Sequence, residues 1–359
     1  MPPQFWCSLV AAFALVAGAC APTTAPTPPP EEKLLVVNGG ENTLSVIPID
    51  TTRPTRKISL GALTGSPQDV AARSETALVA GGDADVLVVV DLVAERVQRV
   101  IAFPAGSRPT SVVIIGETVA YVTNAGRNVV TRVDYSSGDT ASVDVGQYPR
   151  DAILTRGRLF VVNGNVERCP LGTCSLGPSW LTVVDPQANT RSAGRDSIPL
   201  PSQGNARSAT LGGDGLIYVV NTGDQSSETP GRLSIVDPIR REEVGSFSGF
   251  GFVPAVAASD GGERLFLTSE RDGLMEFNTR TRRVVRGAAE AIHLNDIVTA
   301  AVDSRGRIYG VEAAGCGSGQ PGRLRVLRPD LTEARSLLLG VCPTAAAIVL
   351  LPGIPAVDD

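Results

Sequence analysis

Residues 77–114 contain the runs Ala77-Leu-Val-Ala-Gly81-Gly, Val86-Leu-Val-Val-Val-Asp91, Val97-Gln-Arg-Val-Ile101 and Pro109-Thr-Ser-Val-Val-Ile114. The runs are short, rich in Val, Ile and Leu, and bounded by Gly, Asn, Asp or Pro, which is typical of β-strands. In order, they are an apolar strand before a small polar loop, a strand that ends in Asp, a third strand, and an apolar run led by Pro. This stretch therefore predicts one four-stranded unit.

The same order of runs occurs seven times between Leu34 and Leu351. Successive copies begin roughly 40 to 58 residues apart, which is the spacing of four-stranded propeller blades with loop insertions. Because one such sheet cannot bury both faces, neighbouring copies must stack around a ring. The sequence predicts an all-β, seven-bladed β-propeller of antiparallel blades, with six or eight blades as alternatives because the sixth copy is divergent. The other copies begin at Leu34, Val119, Arg158, Leu216, Arg264 and Arg307.

The two ends of the repeat region are incomplete in a complementary way. The first copy lacks an innermost strand, whereas Pro343-Thr-Ala-Ala-Ala-Ile-Val-Leu350 is a strand of that type without a repeat of its own. We expect these ends to complete one blade, because closing the ring removes open sheet edges. The propeller is therefore predicted over residues 34–351, followed by a C-terminal tail over residues 352–359.

One copy reads Tyr121-Val-Thr-Asn124-Ala-Gly, and another reads Tyr218-Val-Val-Asn221. These motifs resemble the YVTN family of β-propeller repeats, and the resemblance covers nearly the whole chain after its N-terminal segment. It fades in the sixth and seventh copies, where Phe277-Asn278 and Leu327-Arg328 replace a Val-Asp pair. The resemblance implies the fold and not an activity, since the family includes surface-layer proteins, lactonase-like enzymes and binding modules. The Val-Asp pairs are Val90-Asp91, Val133-Asp134, Val184-Asp185 and Val236-Asp237.

The N-terminus has the features of a secretion signal. Residues 1–19 carry no charged side chain and contain an apolar run over residues 9–16, which predicts a signal peptide. Ala17-Gly-Ala-Cys20 resembles a bacterial lipobox, in which the cysteine becomes the lipidated first residue. Ala17 stands where Leu is usual, and Met1 to Trp6 lacks Lys and Arg, so plain cleavage after Ala19 is the alternative.

Residues 20–33 are rich in Pro and Thr, which favours an extended tether between a lipid anchor and the propeller. The predicted location is extracytoplasmic, with the chain anchored by lipid to a bacterial membrane, in the periplasm or on the cell surface. The net charge of −5 argues against a nucleic-acid partner, whose usual footprint is a basic surface, so none is predicted.

Four cysteines remain after Cys7 and Cys20: Cys169, Cys174, Cys316 and Cys342. An even number in an exported chain predicts disulfide bonds. The first two bracket a short stretch of one inserted loop. The last two lie in loops of the last repeat that emerge on the same face of a blade, so their pairing is geometrically reasonable. A four-cysteine zinc site has the wrong grouping, because the last two are not a close pair.

Charged residues recur where the innermost strands begin, near the predicted mouth of the channel. They could hold a polar ligand or a cation; alternatively, they cap strand ends and solvate a water-filled channel. Loop insertions at 164–179, 222–232 and 313–322 enlarge the same face, which suggests binding, although drift in exposed loops has the same result. The candidate ligand-binding residues are Asp69, Arg108, Arg150, Asp151, Arg207 and Asp296.

The aspartates that end the second strand of a copy have a different interpretation. They recur at a turn, so we expect turn hydrogen bonds from them and not catalysis. The residues are Asp50, Asp91, Asp134, Asp185 and Asp237.

His293 is the only histidine, which excludes His-rich metal sites and mechanisms that need two imidazoles. His293 and Asp296 are weak candidates for catalysis, because no nucleophile or carboxylate pair of diagnostic spacing accompanies them. The sequence predicts no cofactor and leaves a divalent cation open.

Two hypotheses of function follow. The first is a binding or scaffold module whose rim loops contact an envelope protein or an extracellular ligand. The second is a lactonase-like or lyase-like enzyme that uses His293 or the group Asp69, Asp151 and Asp296 in the channel, with or without a divalent cation. The second hypothesis requires these side chains to share one cavity.

Overall fold

The computed structural model describes residues 29–49, 54–63, 65–169, 172–201, 204–223, 231–251, 254–258 and 262–352. Within these residues the strands form seven sheets around a ring and one additional hairpin. In blades 2 to 7 the sheet follows the chain from an inner to an outer strand, and sequence neighbours pair in antiparallel fashion. The predicted seven-bladed, all-β propeller is confirmed.

The first three blades in chain order have regular strands. Blade 1 comprises β1 (Glu31–Asn38), β2 (Thr43–Pro48), β3 (Arg56–Ser59) and the C-terminal strand β31 (Pro343–Leu351). Blade 2 comprises β4 (Asp69–Arg73), β5 (Thr76–Ala80), β6 (Val86–Asp91) and β7 (Arg96–Ala102). Blade 3 comprises β8 (Pro109–Ile114), β9 (Val119–Asn124), β10 (Val129–Asp134) and β11 (Thr140–Asp144).

Blade 4 carries an insertion, and its outermost strand is divided in two. It comprises β12 (Pro149–Thr155), β13 (Arg158–Asn163), β16 (Ser179–Asp185), β17 (Thr190–Arg191) and β18 (Ser197–Leu200), the last two both pairing with β16. Between β13 and β16 stands a hairpin of β14 (Val166–Cys169) and β15 (Gly172–Ser175). The predicted loop insertion at 164–179 is thus an ordered hairpin.

The last three blades complete the ring. Blade 5 comprises β19 (Ala206–Leu211), β20 (Ile217–Asn221), β21 (Arg232–Asp237) and β22 (Glu242–Ser248). Blade 6 comprises β23 (Pro254–Ala258), β24 (Arg264–Ser269), β25 (Gly273–Asn278) and β26 (Arg283–Arg286). Blade 7 comprises β27 (Ile297–Val302), β28 (Ile308–Glu312), β29 (Pro321–Leu327) and β30 (Glu333–Val341).

The C-terminal strand closes the ring, as predicted. β31 pairs with β1 in antiparallel register, from Glu31 opposite Leu351 to Asn38 opposite Pro343. β1 begins three residues before the predicted start of the propeller at residue 34, so residues 31–33 of the predicted tether pair within blade 1. The backbone donors and acceptors of these residues are satisfied by the last residues of β31.

The hydrophobic core consists of layers between blades. Val37, Ala77 and Val88 belong to one buried cluster that joins blades 1 and 2, and six further clusters join the other neighbouring pairs. Each sheet therefore buries both faces against its neighbours, which the apolar residues on both sides of the strands require. Burial of apolar surface contributes about 25 cal/mol per Å².

The aspartates that end the third strand of a blade from the channel form the predicted turns. Asp91 Oδ1 accepts hydrogen bonds from the N–H groups of Val93 and Ala94, at 3.0 and 2.8 Å. The same oxygen of Asp134, Asp185 and Asp237 accepts two N–H groups in the same way. The prediction is confirmed for these four residues, and Asp50 lies outside the described residues.

Candidate ligand site in the central channel

The inner strands begin on one face of the ring, which we call the upper face. Their first residues surround a cavity of about 440 Å³ at the end of the central channel. Blades 2, 3, 4, 5, 7 and 1 each contribute at least two successive residues to its wall, and blades 7 and 1 also contribute Ala300, Pro343 and Ala346. The first residues of each pair are Gln68, Thr110, Arg150, Arg207, Val298 and Thr344, and the second are Asp69, Ser111, Asp151, Ser208, Thr299 and Ala345.

A backbone irregularity explains why successive residues of one strand both line the cavity. The pairing of β12 with β13 shifts between Pro149 and Asp151, so Arg150 is an extra residue in the inner strand. Equivalent shifts occur in β8, β19, β27 and β31. A bulge bends the strand and changes the direction of a side chain that would otherwise point away.

The residue before each of these bulged strands has a left-handed backbone conformation. It is Arg108 with φ 54°, Tyr148 with φ 54°, Asn205 with φ 59° and Asp296 with φ 56°. Cys342, before β31, has φ 51°. Such a conformation is uncommon for residues other than Gly, and here it turns the chain sharply from the upper face into the channel. The side chains of these residues therefore start on the rim.

Asp69 and Asp151 connect the inner strands of neighbouring blades. Asp69 Oδ2 accepts the N–H of Val112 in the next blade at 3.0 Å. Asp151 Oδ2 accepts the N–H of Ala209 in the next blade at 2.8 Å, and its Oδ1 accepts the hydroxyl of Ser111 at 2.8 Å. The two carboxylates thus satisfy a backbone donor across each of two blade boundaries and a side-chain hydroxyl across a third.

Burial governs the protonation of this pair. Burial, followed by the nearby negative charge of Asp151, raises the pKa of Asp69 to about 6, against the opposing effect of hydrogen bonds from Val112, Ser111 and Val70. Burial also raises the pKa of Asp151, whose hydrogen bonds to Ala209, Ser111 and Ala152 act in the opposite direction. Removing a carboxylate from bulk water disfavours its charged form.

Two arginines project into the cavity from adjacent blades. Arg150 donates to Asn205 Oδ1 at 3.4 Å, and its guanidinium lies 5.0 Å from the centre of the Tyr148 ring. Arg207 Nη1 lies 4.0 Å from Glu270 Oε1, at the outer limit of an ion pair. Burial, followed by the positive charge of Arg207, lowers the pKa of Arg150 to about 10. Burial lowers the pKa of Arg207 as well, with Glu270 opposing the change.

Arg108 lies beside this pair and outside the cavity wall. Its Nε donates to Asp83 Oδ1 at 3.0 Å, its Nη2 donates to the Tyr148 hydroxyl at 3.3 Å, and its guanidinium lies 5.7 Å from the ring centre. Tyr148 therefore contacts Arg108 and Arg150 together. Sequence reasoning missed Tyr148 and Glu270; the position of Tyr148 one residue before a Pro-led inner strand, like that of Arg108, is the signal that could have found it.

The two weak catalytic candidates lie apart from the cavity. His293 is exposed, and it is not among the described side chains of the cavity wall. Asp296 Oδ2 accepts the N–H of Gly315 in the loop after β28, and its side chain is likewise absent from that wall. The structure thus brings together Asp69, Asp151 and two of the predicted arginines, and it separates them from His293 and Asp296.

The predicted disulfide between Cys316 and Cys342 is confirmed. It ties the loop after β28 to the residue before β31, so the side chain of Cys316 forms part of the cavity wall. Cys174 is also disulfide-bonded. The side chain of Cys169 lies outside the described part of the chain, as do residues 1–28 with Cys20, and the predictions for them stay untested.

Among the described residues, no group of three or more His, Cys, Asp or Glu side chains is placed to hold a metal ion. The same residues include no helix long and apolar enough to cross a membrane.

No protein-family model matches the chain, and no curated protein matches its sequence. By structure it is similar to hydrazine synthase of Kuenenia stuttgartiensis, with a TM-score of 0.62 and 15% identity over 78% of this chain and 88% of that one. In total, 1379 chains of known structure match, so the fold is too widespread to indicate a function. At this identity the likeness concerns the fold alone: the chain is a seven-bladed β-propeller.

Proposed function

We propose that this protein is an exported, lipid-anchored propeller of the YVTN type, which acts as a binding or scaffold module for an envelope protein or an extracellular ligand. The observation that carries the proposal is the build of the upper face. Two loop insertions stand there on fixed bases beside a cavity whose wall gathers Arg150, Arg207, Asp69 and Asp151.

The insertion of blade 7 is fixed at several points. Cys316 is bonded to Cys342, and Asp296 accepts the N–H of Gly315 by its side chain and that of Ala313 by its backbone oxygen, the latter at 3.0 Å. A loop that is ordered before binding loses less conformational entropy when a partner arrives. This fixation favours recognition over a role as a mere connection.

The hairpin of blade 4 stands on a similar base. Gly164 N–H donates to the backbone oxygen of Tyr148 at 3.1 Å, and Asn205 N–H donates to that of Gly164 at 3.0 Å. Leu176 N–H closes the base with a bond of 2.8 Å to Asn165. The hairpin therefore rises from the rim at blades 4 and 5, next to the arginines.

Export and anchoring are supported by separate features. Residues 1–19 have the features of a signal peptide. Cys20 directly follows small residues, as the lipidated cysteine of a lipoprotein signal does. A structural disulfide also persists in oxidising compartments and is rare in the cytosol. An enzyme that needs His293 beside the channel aspartates has less support, because the exposed imidazole lies outside their cavity.

The test is affinity capture of the tethered protein from its native envelope, with mass spectrometry of co-purifying proteins and of the Cys20 peptide. A variant in which Asn-Gly replaces residues 166–175 removes the hairpin and both of its cysteines. Asn165 and Leu176 are hydrogen-bonded to each other at the base of the hairpin, so a two-residue turn can connect them. We expect a stoichiometric partner with the wild type and its loss from this variant.

The matched control is Arg280→Gln, in a turn at the opposite face, where Arg280 pairs with Glu263 at 3.2 Å. We expect this variant to retain the partner. A Cys20→Ala variant should leave the membrane fraction and still bind. Capture that is equal for wild type and hairpin variant, or an unlipidated Cys20 peptide, would contradict the corresponding part of the proposal.

A further inference from the structure

We infer that the upper end of the channel binds a small organic carboxylate, with its charged group between Arg150 and Arg207 and its hydrocarbon part against blades 7 and 1. This inference rests on the proposed binding function and deepens it, because it names the class of ligand.

The first argument is the position of the two arginines. Arg150 and Arg207 are the first wall residues of adjacent blades, and the bulges in β12 and β19 direct both into one cavity. Their like charges repel each other there. The positive charge of Arg207 is, after burial, the second cause of the lowered pKa of Arg150. A carboxylate between two guanidinium groups would remove this repulsion and accept charge-assisted hydrogen bonds from both.

The second argument is that the nearby carboxylates have other partners or lie at a distance. Asp69 and Asp151 are bound to backbone N–H groups of Val112 and Ala209 on the following blades. Glu270 approaches Arg207 only to 4.0 Å, and its side chain is 43% exposed. These three carboxylates of the cavity wall are thus bound to backbone groups or held at 4.0 Å from the arginine pair.

The third argument is the asymmetry of the wall. Blades 4 and 5 contribute the arginines, whereas blades 7 and 1 contribute Val298, Ala300, Ala345 and Ala346. A ligand that spans the cavity would meet cations at one side and methyl groups at the other. An inorganic anion would use only the first side, so the wall favours a carboxylate with a short hydrocarbon body.

The fourth argument is size. A cavity of about 440 Å³ lies within the range of small-molecule sites. The loop held by the disulfide of Cys316 forms part of its wall, which limits the opening. The site therefore suits a free small molecule in preference to a folded segment of a protein partner.

The experiment is an NMR titration of the arginine Nε–H signals of the whole propeller at low ionic strength, with acetate, butyrate, hexanoate and inorganic phosphate as the probes. We expect the Kd to fall along the carboxylate series, by about threefold to fourfold for each methylene that is buried. We expect Arg150→Gln and Arg207→Gln each to weaken hexanoate binding about tenfold or more.

Arg280→Gln is the matched control, since it removes the same charge at the opposite face and should leave the Kd unchanged. A second variant, Val298→Ser, keeps both arginines and should weaken hexanoate more than acetate. Thermal unfolding shows whether each arginine variant is folded. If one is not, Val298→Ser still tests the apolar side of the cavity.

Phosphate that binds as tightly as hexanoate, without dependence on chain length, would overturn the assignment to an organic carboxylate. No response of the arginine signals to any probe would overturn the site. Neither result bears on the proposed protein partner, because its capture depends on the hairpin of blade 4. If no partner is captured but the carboxylate still binds, the proposed function alone has failed.

Discussion

At the scale of the residue, the asparagine of the repeat motif has a structural role. Asn163 is buried; its Nδ2 donates to the Thr182 hydroxyl of the next strand at 2.9 Å, and its Oδ1 accepts the N–H of Gly146 before the blade's inner strand at 2.9 Å. Asn38 bonds in the same way to Ser45 and to Gly340 of blade 7. Each therefore joins two strands of a blade to the segment that precedes it. Asn124 and Asn221 make the equivalent bonds to Thr131 and Ser234.

Asp69 provides a prediction at this scale. Because the folded chain raises its pKa from 3.8 to about 6, the folded state binds this proton more tightly than the unfolded state. The stability that results is fully present below about pH 4 and is lost as the pH rises through about 6. Relative to Asp69→Asn, the wild type should lose free energy of unfolding on the order of 2 kcal/mol between pH 4 and pH 7, measured by urea unfolding.

Asp134 is the control with the opposite sign. The hydroxyl of Ser136 and the N–H groups of Ser137 and Ser136 hold its pKa below 3.8. Its contribution to stability is present above about pH 4 and is lost as the pH falls, so Asp134→Asn should change the pH dependence only in acid. Parallel curves for the wild type and Asp69→Asn would disprove the role of Asp69.

At the scale of the element, the inner strands and the loops that precede them build the site. A bulge adds one wall residue to each of five inner strands, and the residue before the strand lies in a left-handed conformation. Blade 7 adds a covalent bond, between the loop after β28 and Cys342. The loop and the strand are thus held together from two adjacent blades.

The disulfide provides a prediction at this scale. Cys316 and Cys342 are 26 residues apart, and closure of a loop of this size contributes about 2–4 kcal/mol, whereas the blades have cores of their own. In a Cys316→Ser/Cys342→Ser variant we expect faster amide hydrogen exchange over residues 313–320 and a lower Tm, with the ring still folded. Unfolding of the whole ring in the variant under native conditions would refute this view.

At the scale of the whole molecule, the ring is closed by pairing between the chain ends. β31 supplies Ala345, Val349 and Leu351 to the core between blades 1 and 2. Its pairing with β1 leaves the first strand no open edge. Seven inter-blade layers then stabilise one another around the channel, since each sheet contacts two neighbours.

Removal of residues 343–359 tests this closure. Loss of β31 exposes the inner edge of β1 and the apolar side chains that it covers, so we expect a Tm lower by about 10 °C or more, or no cooperative unfolding. In a permuted control, residues 343–352 precede Glu31 through a short turn, because Leu351 lies opposite Glu31. This control should restore most of the stability, measured by calorimetry. A truncated chain as stable as the wild type would contradict closure by β31.

Sequence patterns alone were sufficient to predict the repeat, the seven blades, the closing strand, the aspartate turns and the Cys316–Cys342 bond, because local apolar patterns and spacing record which residues pair and are buried. They also predicted that Asp69, Arg150, Asp151 and Arg207 lie at the channel. The folded ring was needed to show that His293 and Asp296 lie outside the cavity, that the aspartates bind the next blade, and that Tyr148 and Glu270 contact the arginines. The reason is physical: a bulge, a left-handed residue and the approach of a neighbouring blade set the direction of a side chain, and these depend on strands far apart in the sequence.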